Sequence, residues 1–433
     1  MDPKMVRRAW LSGAAGFFME TYEFGIYGIV AAYLAAEFFS SGNPTVSLLL
    51  TWIVFAIPFA IRPLGGIVLG SIGDRFGRKR VMLLSIVIMC GSTVLIGLIP
   101  GEAIIGIAAP IAVIACRLIQ GAVFGGETAN AVTFAGEWAP RRIRASRIAF
   151  VQTGATLGNM VGSSLAFVLT FTLGASLMQA WGWRMLFLFA LPLAALGFYI
   201  RYRVGETPAF QTLADTGALA AAPIRDAVKS RNTRASMAKC ILIAAILATG
   251  YYGVYIVLPA YLVNTIGFAP AEGMLVTLIG LAALAVLSIG WGRLADRVNR
   301  RWLGCGAAVA MAVLALPAFS MIRDSGGSLA VAIGATLMLT VPYSVINAVT
   351  HSVIFDLLST RTRSTSYAIA FGIAVALFGG LAPFIGTALI GLTGDAASPA
   401  YFLILAAVVS IIGYLLINER RVTARGIDPG AEH

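Results

Sequence analysis

The chain carries one stretch after another of about twenty predominantly apolar residues, the length that crosses a ~30 Å hydrocarbon core at 1.5 Å per helical residue. Such runs lie near 10–36, 48–72, 81–99, 104–126, 146–171 and 184–200. A second set lies near 238–263, 272–292, 302–322, 329–350, 365–392 and 400–417. In lipid a backbone must satisfy its own hydrogen bonds, so runs of this kind fold as helices. The expectation is an all-α membrane protein with twelve transmembrane helices, six and six. Composition agrees: 12% of the 433 residues are charged, about half the share found in soluble domains.

The formal net charge of +12 would suit a polyanionic partner, but the placement of the basic residues says otherwise. Loops of one parity hold 27 of the 31 Lys and Arg residues. Of the other four, Arg62 and Arg117 fall mid-span, Arg184 at a span edge and Arg323 in an opposite loop. By the positive-inside rule, both termini and the long middle loop are expected to be cytoplasmic. The basic excess thus reads as topology in a multi-pass inner (plasma) membrane protein, with the lipid bilayer and not nucleic acid as its partner. The first apolar run is too long for a signal-peptide core and is expected to remain as a helix. Cys90, Cys116, Cys240 and Cys305 sit singly inside apolar runs and read as small core residues, with no disulfide or metal role. No nucleophile–base pair, metal-ligand spacing or nucleotide loop appears, so neither an enzyme nor a cofactor is expected.

The two sets of spans repeat one another. Gly70, Asp74, Arg75 and Arg78 after the second span map onto Gly292, Asp296, Arg297 and Arg300 after the eighth. Glu137, Arg142 and Arg144 map onto Asp356, Arg361 and Arg363 at nearly the same offset. Two independent matches imply a duplicated six-helix unit: bundles over 1–200 and 236–433, related by pseudo-two-fold symmetry and joined by a cytoplasmic linker over 201–235. Duplications of this kind place a substrate at the repeat interface, near the midplane. An acid beside a row of Arg at a helix end can pair across the bundles and hold one access state closed. Gly70, Asp74, Arg75, Arg78, Glu137, Arg144, Asp296, Arg297, Asp356 and Arg363 are the expected cytoplasmic gate.

The paired loops, the 6+6 layout and the basic central loop resemble the major facilitator superfamily. More narrowly, Glu20-Thr-Tyr22-Glu23-Phe24-Gly25-Ile-Tyr27-Gly28 resembles a stretch of its metabolite:proton symporter family. So do Arg62-Pro63-Leu-Gly65-Gly66, Arg117-Leu-Ile-Gln120-Gly121 and Glu206-Thr207-Pro208. Phe378-Gly379-Gly380-Leu-Ala-Pro383 and Leu392-Thr393-Gly394-Asp395 look most like the citrate and tricarballylate branch. Thr21, Glu23 and Asn299 depart from the family's usual Trp, Asp and Gly.

An ionisable group at bilayer depth costs at least ~2.5–3.5 kcal/mol and marks function by default. Glu20 and Glu23 share one face of the first helix and are the expected proton-coupling site; an acid held neutral by Arg, or tied across a helix contact, is the bland reading. Arg117 offers a planar fork that fits a carboxylate, with Gln120 one turn on. It reads as a substrate contact or as a standing bridge to Glu20 or Glu23. Arg62, beside Pro63, reads equally as substrate contact or structural clamp, and Glu127 as gate support. Gln152 and Asn159, Tyr251, Tyr252 and Tyr255, and Tyr343, Asn347 and His351 could line the remainder of a cavity or simply join helices. The candidate substrate contacts are therefore Arg62, Arg117, Gln120, Gln152, Asn159, Tyr251, Tyr255, Tyr343 and Asn347.

With the resemblance, these groups lead to an expected function: a carrier, working as a monomer, that imports a small di- or tricarboxylate together with protons by alternating access. The alternative cargo is a zwitterion such as betaine, proline or ectoine.

Overall fold

The computed structural model describes residues 3–40, 42–76, 78–202, 231–358 and 363–417. Among them every regular element is helical. We number the main helices α1 (Pro3–Ile29), α2 (Pro44–Phe76), α3 (Arg78–Leu98), α4 (Ala108–Trp138), α5 (Arg144–Leu177) and α6 (Ala190–Tyr202). They continue as α7 (Arg231–Tyr251), α8 (Pro270–Ala295), α9 (Arg300–Arg323), α10 (Leu329–Leu357), α11 (Arg363–Ala374) and α12 (Pro399–Leu415). A π-helical turn over Val375–Gly380 leads from α11 into a further helix, Ala382–Thr393.

Eight helical stretches of the described residues are long and apolar enough to cross a membrane, and two shorter apolar helices, Leu83–Leu98 and Pro399–Leu415, accompany them. One of the eight, Arg144–Tyr199, runs for 56 residues, more than twice what a single crossing needs. The stretch is bent where Gly174 adopts φ +74°, a left-handed conformation open to glycine. α1 carries Glu20 and Glu23 in its interior, so it is not apolar throughout. Most of the expected linker, and residues 418–433, lie outside the described residues.

Lipid-facing chains expose apolar surface and turn polar groups inward. Val168, Phe171, Leu196, Val286, Val313 and Leu405 all face outward. Glu20, Glu23, Arg62, Arg117, Gln120 and Asn159 are all at most 4% exposed. Buried apolar side chains gather into two clusters. One is built mainly from residues 19–194 around Tyr22, Phe24, Trp52, Phe55, Phe59 and Trp183, with Ala248, Ile256, Ala260, Met274 and Val375 joining it. The other is built mainly from α7–α12, with Ala129, Val132, Ala135 and Ile148 of α4 and α5 joining it.

Where helices meet, small residues permit the approach. α2 lies along α4, and a Cβ on Gly121 would stand 2.5 Å from the Pro58 Cα and carbonyl oxygen. α5 lies along α8, and a Cβ on Gly292 would stand 2.8 Å from that of Ala149. All four cysteines are buried and free. α9 begins at Asn299, whose side chain accepts the Arg301 N–H at 3.0 Å, so Asn at this position serves as a helix cap.

Candidate functional site: a buried guanidinium–carboxylate cluster

Helices α1, α2, α3 and α4 bring five of the expected polar residues together. Arg117 on α4 is fully buried. Its Nη1 donates to Gln120 Oε1 at 2.9 Å, one turn along the same helix. Gln120 Nε2 donates to the Thr93 hydroxyl on α3 at 2.9 Å, and that hydroxyl donates to Glu23 Oε2 on α1 at 3.3 Å. Arg117 and Glu23 are therefore joined by a chain of three hydrogen bonds through two neutral side chains. Arg117 Nη2 also donates to the Phe55 carbonyl at 3.3 Å.

Aromatic rings wrap both guanidiniums. The Arg117 carbon lies 4.2 Å from the Phe24 ring centre and 4.4 Å from that of Tyr27. The Arg62 carbon lies 3.4, 4.2 and 4.9 Å from the rings of Phe124, Phe59 and Phe24. Such contacts contribute about 2 kcal/mol or more each once water is excluded. Phe24 thus sits under both cations. Tyr252 closes the cluster from the other side of the chain, packing edge-on against Phe59 at 4.9 Å and lying within electrostatic reach of Arg62. Glu20 lies within electrostatic reach of Arg62 and Tyr252. The two acids of α1 consequently serve different surroundings, Glu23 the Thr93 side and Glu20 the Arg62 side.

Other expected lining residues lie elsewhere. Gln152 and Asn159 are buried on α5, and Asn159 faces the Tyr251 hydroxyl. Tyr255 donates to Thr340 at 3.0 Å, Tyr343 to the Leu247 carbonyl at 2.9 Å, and Asn347 to Ser288 at 3.2 Å. These bonds knit α7, α8 and α10 and do not touch either guanidinium. His351 Nδ1 meets the Tyr367 hydroxyl at 2.5 Å, between α10 and α11. A cavity of about 50 Å³ lies off to one side, walled by Trp52, Thr249, Tyr261, Phe319, Thr387 and Phe402. Trp52 connects it to the charged cluster, because its ring meets that of Phe55 edge-on at 5.7 Å.

At the other end of the helices, several residues expected at a gate make defined contacts. Asp296 at the end of α8 accepts the Ala145 and Ser146 N–H groups at 2.9 and 3.2 Å. Asp356 of α10 accepts Arg144 at 3.1 Å and Arg300 at 2.8 Å. Arg144 also donates to the Gly136 carbonyl, and Arg363 lies 4.1 Å from the Phe355 ring centre. Arg300 was not among the expected gate residues, whereas the expected Arg297 is exposed. Across the turn between α8 and α9, Arg300 reaches back to Asp296 at 3.7 Å. The side chains of Gly70, Asp74, Arg75, Arg78, Glu127 and Glu137 lie outside the described residues.

Sequence reasoning missed Thr93, Phe55, Phe59 and Phe124. Threonine and phenylalanine inside an apolar run look like ordinary span residues, and only the i,i+4 pair Phe55 and Phe59 gave a signal.

The Major Facilitator Superfamily pattern matches residues 13–377, and the chain belongs to this superfamily of membrane transporters, which are not enzymes. The proline/betaine transporter of Salmonella typhimurium is 33% identical over 97% of this chain and 85% of its own length. The ectoine/proline transporter of Corynebacterium glutamicum is likewise 33% identical, over 97% of this chain and 85% of its own. Among solved structures, the xylose transporter XylE from E. coli in a partially occluded inward-open conformation superposes with a TM-score of 0.74. It covers 95% of this chain and 98% of its own at 15% identity, a likeness of fold alone. The protein is a multi-pass inner-membrane transporter.

These relatives overturn the citrate and tricarballylate resemblance, and with it the di- or tricarboxylate cargo. The structure explains why the two motifs misled. Phe378–Pro383 spans the end of the π-helical turn and the start of the next helix, and the Phe378 carbonyl accepts Thr249 at 2.9 Å. Gly394 closes a helix at φ +69°, and Asp395 accepts the Ala397 N–H at 2.9 Å. Both stretches encode backbone turns and touch neither guanidinium.

Proposed function

We propose that the chain is a proton-coupled importer of a zwitterionic osmolyte of the betaine, proline or ectoine type. The observation that carries this reading is the likeness, along 97% of the chain, to transporters named for those solutes. The buried cluster is chemically suited to such a cargo. A guanidinium fork takes the carboxylate end, and aromatic faces take a methylated ammonium. Here those faces are covered by Arg62 and Arg117. A carboxylate drawing a guanidinium off its ring would free that face for the cationic end of the same molecule. The uncharged lining groups Gln152, Asn159, Tyr251, Tyr255, Tyr343 and Asn347 would complete the path.

The architecture that goes with this reading is twelve spans in two bundles, residues 1–200 and 236–433, with the linker and both termini in the cytoplasm. The two apolar clusters and the α5–α8 and α2–α11 contacts support it. In alternating access, the Asp296 and Asp356 contacts hold the cytoplasmic side closed, and they break as the bundles rock. Glu20 and Glu23 carry the coupling proton, and the protein works as a monomer.

The test is uptake into proteoliposomes holding an inward proton gradient. Radiolabelled glycine betaine, proline or ectoine should accumulate and should be lost when the gradient is collapsed. Accumulation of citrate with no uptake of any zwitterion would reject the proposal.

A further inference from the structure

The bonds between Arg117 and Glu23 all point one way. Arg117 donates to Gln120, Gln120 to Thr93, and Thr93 to Glu23. That direction follows from the groups: guanidinium can only donate and a carboxylate can only accept, while the amide and hydroxyl between them do both. We infer that Thr93 and Gln120 form a reversible hydrogen-bond relay by which the protonation state of Glu23 sets whether Arg117 is free to take cargo. The inference deepens the proposed function by naming the link between its proton site and its binding site.

A charged Glu23 claims the single Thr93 hydrogen, which orients Gln120 with its amide nitrogen toward Thr93 and its carbonyl toward Arg117. Protonation turns Glu23 into a donor. Its O–H can then be given to Thr93, whose own hydrogen turns toward Gln120. The Gln120 amide rotates to accept it and presents its NH₂ to Arg117, which withdraws an acceptor from Nη1. The fork is left seeking a carboxylate. No bond to carbon changes, and the single proton added stays on Glu23. Around Glu23 the facing groups include Tyr22 of its own helix, Cys90 and Thr93 of α3, and, through the relay, Gln120 and Arg117 of α4. Thr93 is fully buried and Gln120 is 1% exposed, so bulk water does not short-circuit the relay.

Thr93 is thus a positioning residue, and Thr93→Val keeps its shape while removing the hydroxyl. In proteoliposomes the wild type should show a KM for glycine betaine that falls as external pH falls. Thr93→Val should retain exchange at saturating cargo with a KM that no longer changes with pH, and Thr93→Ser should restore the wild-type dependence. Gln120→Met removes the next link and, whatever its remaining rate, should likewise lose the pH dependence of KM, which keeps the test open if one variant fails to fold. A second readout needs no cargo. In pH-difference infrared spectra the Glu23 carboxyl band, assigned by its loss in Glu23→Gln, should appear at a shifted pH in Thr93→Val and at the wild-type pH in Thr93→Ser. A wild-type pH dependence of KM in both Thr93→Val and Gln120→Met, or an unshifted band, overturns the relay. Failure of the wild type to take up any zwitterion instead rejects the functional reading, and the infrared measurement then decides the relay alone.

Discussion

Asp296, at the C-terminal end of α8, holds the first backbone amides of α5: its two carboxylate oxygens accept Ala145 and Ser146 at 2.9 and 3.2 Å. A helix N-terminus carries unpaired N–H groups and partial positive charge, so a carboxylate there serves as cap and counter-charge at once. The acid comes from sequence 150 residues away, which makes the cap a clasp at the end of two helices that also lie along one another. Asp296→Ala should loosen this end by about 1–3 kcal/mol, the typical cost of stranding buried donors. The check is maleimide labelling of Ser146→Cys from the cytoplasmic side. The reagent should react at least several-fold faster when Asp296 is absent, and equal rates would mean that Arg144, Arg300 and Asp356 suffice to hold closure.

Arg117 is predicted to tolerate no replacement. Arg117→Lys keeps the charge but loses the planar fork and its stacking on Phe24 and Tyr27. Uptake of glycine betaine by Arg117→Lys should fall at least tenfold, and by Arg117→Ala should be lost. Because truncating one member of a buried polar network costs about 3–5 kcal/mol, the Ala variant should also melt earlier in detergent, by scanning fluorimetry. An Arg117→Lys protein with wild-type kcat/KM would show that charge alone is required.

Close helix approach gives a stability prediction. A side chain at Gly121 would meet the Pro58 backbone at 2.5 Å, and backbone cannot turn aside as a side chain can. Gly121→Val should cost at least about 1–3 kcal/mol through overpacking. Gly91→Ala, where nothing stands within 4 Å of the added Cβ, should be neutral or slightly stabilising as a helix-interior glycine replaced. Thermal unfolding of the two variants side by side provides the measurement.

The opposite face of the protein carries an exposed charge trio. Arg323 contacts Asp324 at 2.8 Å and Asp395 at 3.1 Å. The Ala397 N–H and the Arg323 guanidinium hold the Asp395 carboxyl below its usual range. A lowered folded-state value means that the carboxylate stabilises the fold at all pH above the ordinary aspartate value near 3.9, and that the contribution vanishes as pH drops through the lowered value. Asp395→Asn should therefore melt below the wild type at neutral pH and converge with it in strong acid. High salt should shrink the difference at neutral pH, because the groups are open to solvent.

How much of this was legible beforehand depended on what each residue costs in an apolar run. Glu20, Glu23, Arg62 and Arg117 stood out because a charge at bilayer depth demands a reason. Thr93 did not, since a threonine can bond its own helix backbone, and nothing in its spacing announced Gln120 as partner. Phe55, Phe59 and Phe124 were hidden for the opposite reason: in a chain that lives in lipid, rings facing inward and rings facing outward are written in the same letters. Arg300 could have been found, since it maps onto the expected gate residue Arg78 in the repeated loop. The cargo misreading came from treating Phe378–Pro383 and Leu392–Asp395 as signatures of what is carried, when their glycines answer to a π-helical turn and a helix end.

Two acids and two guanidiniums give the inner cluster, fully ionised, a formal charge of zero. A solute that is itself neutral overall leaves that sum unchanged, so every proton that travels with it makes the cycle electrogenic. An interior-negative voltage of 100 mV then supplies about 2.3 kcal/mol per turnover, enough for roughly fifty-fold enrichment inside the cell even with no pH difference.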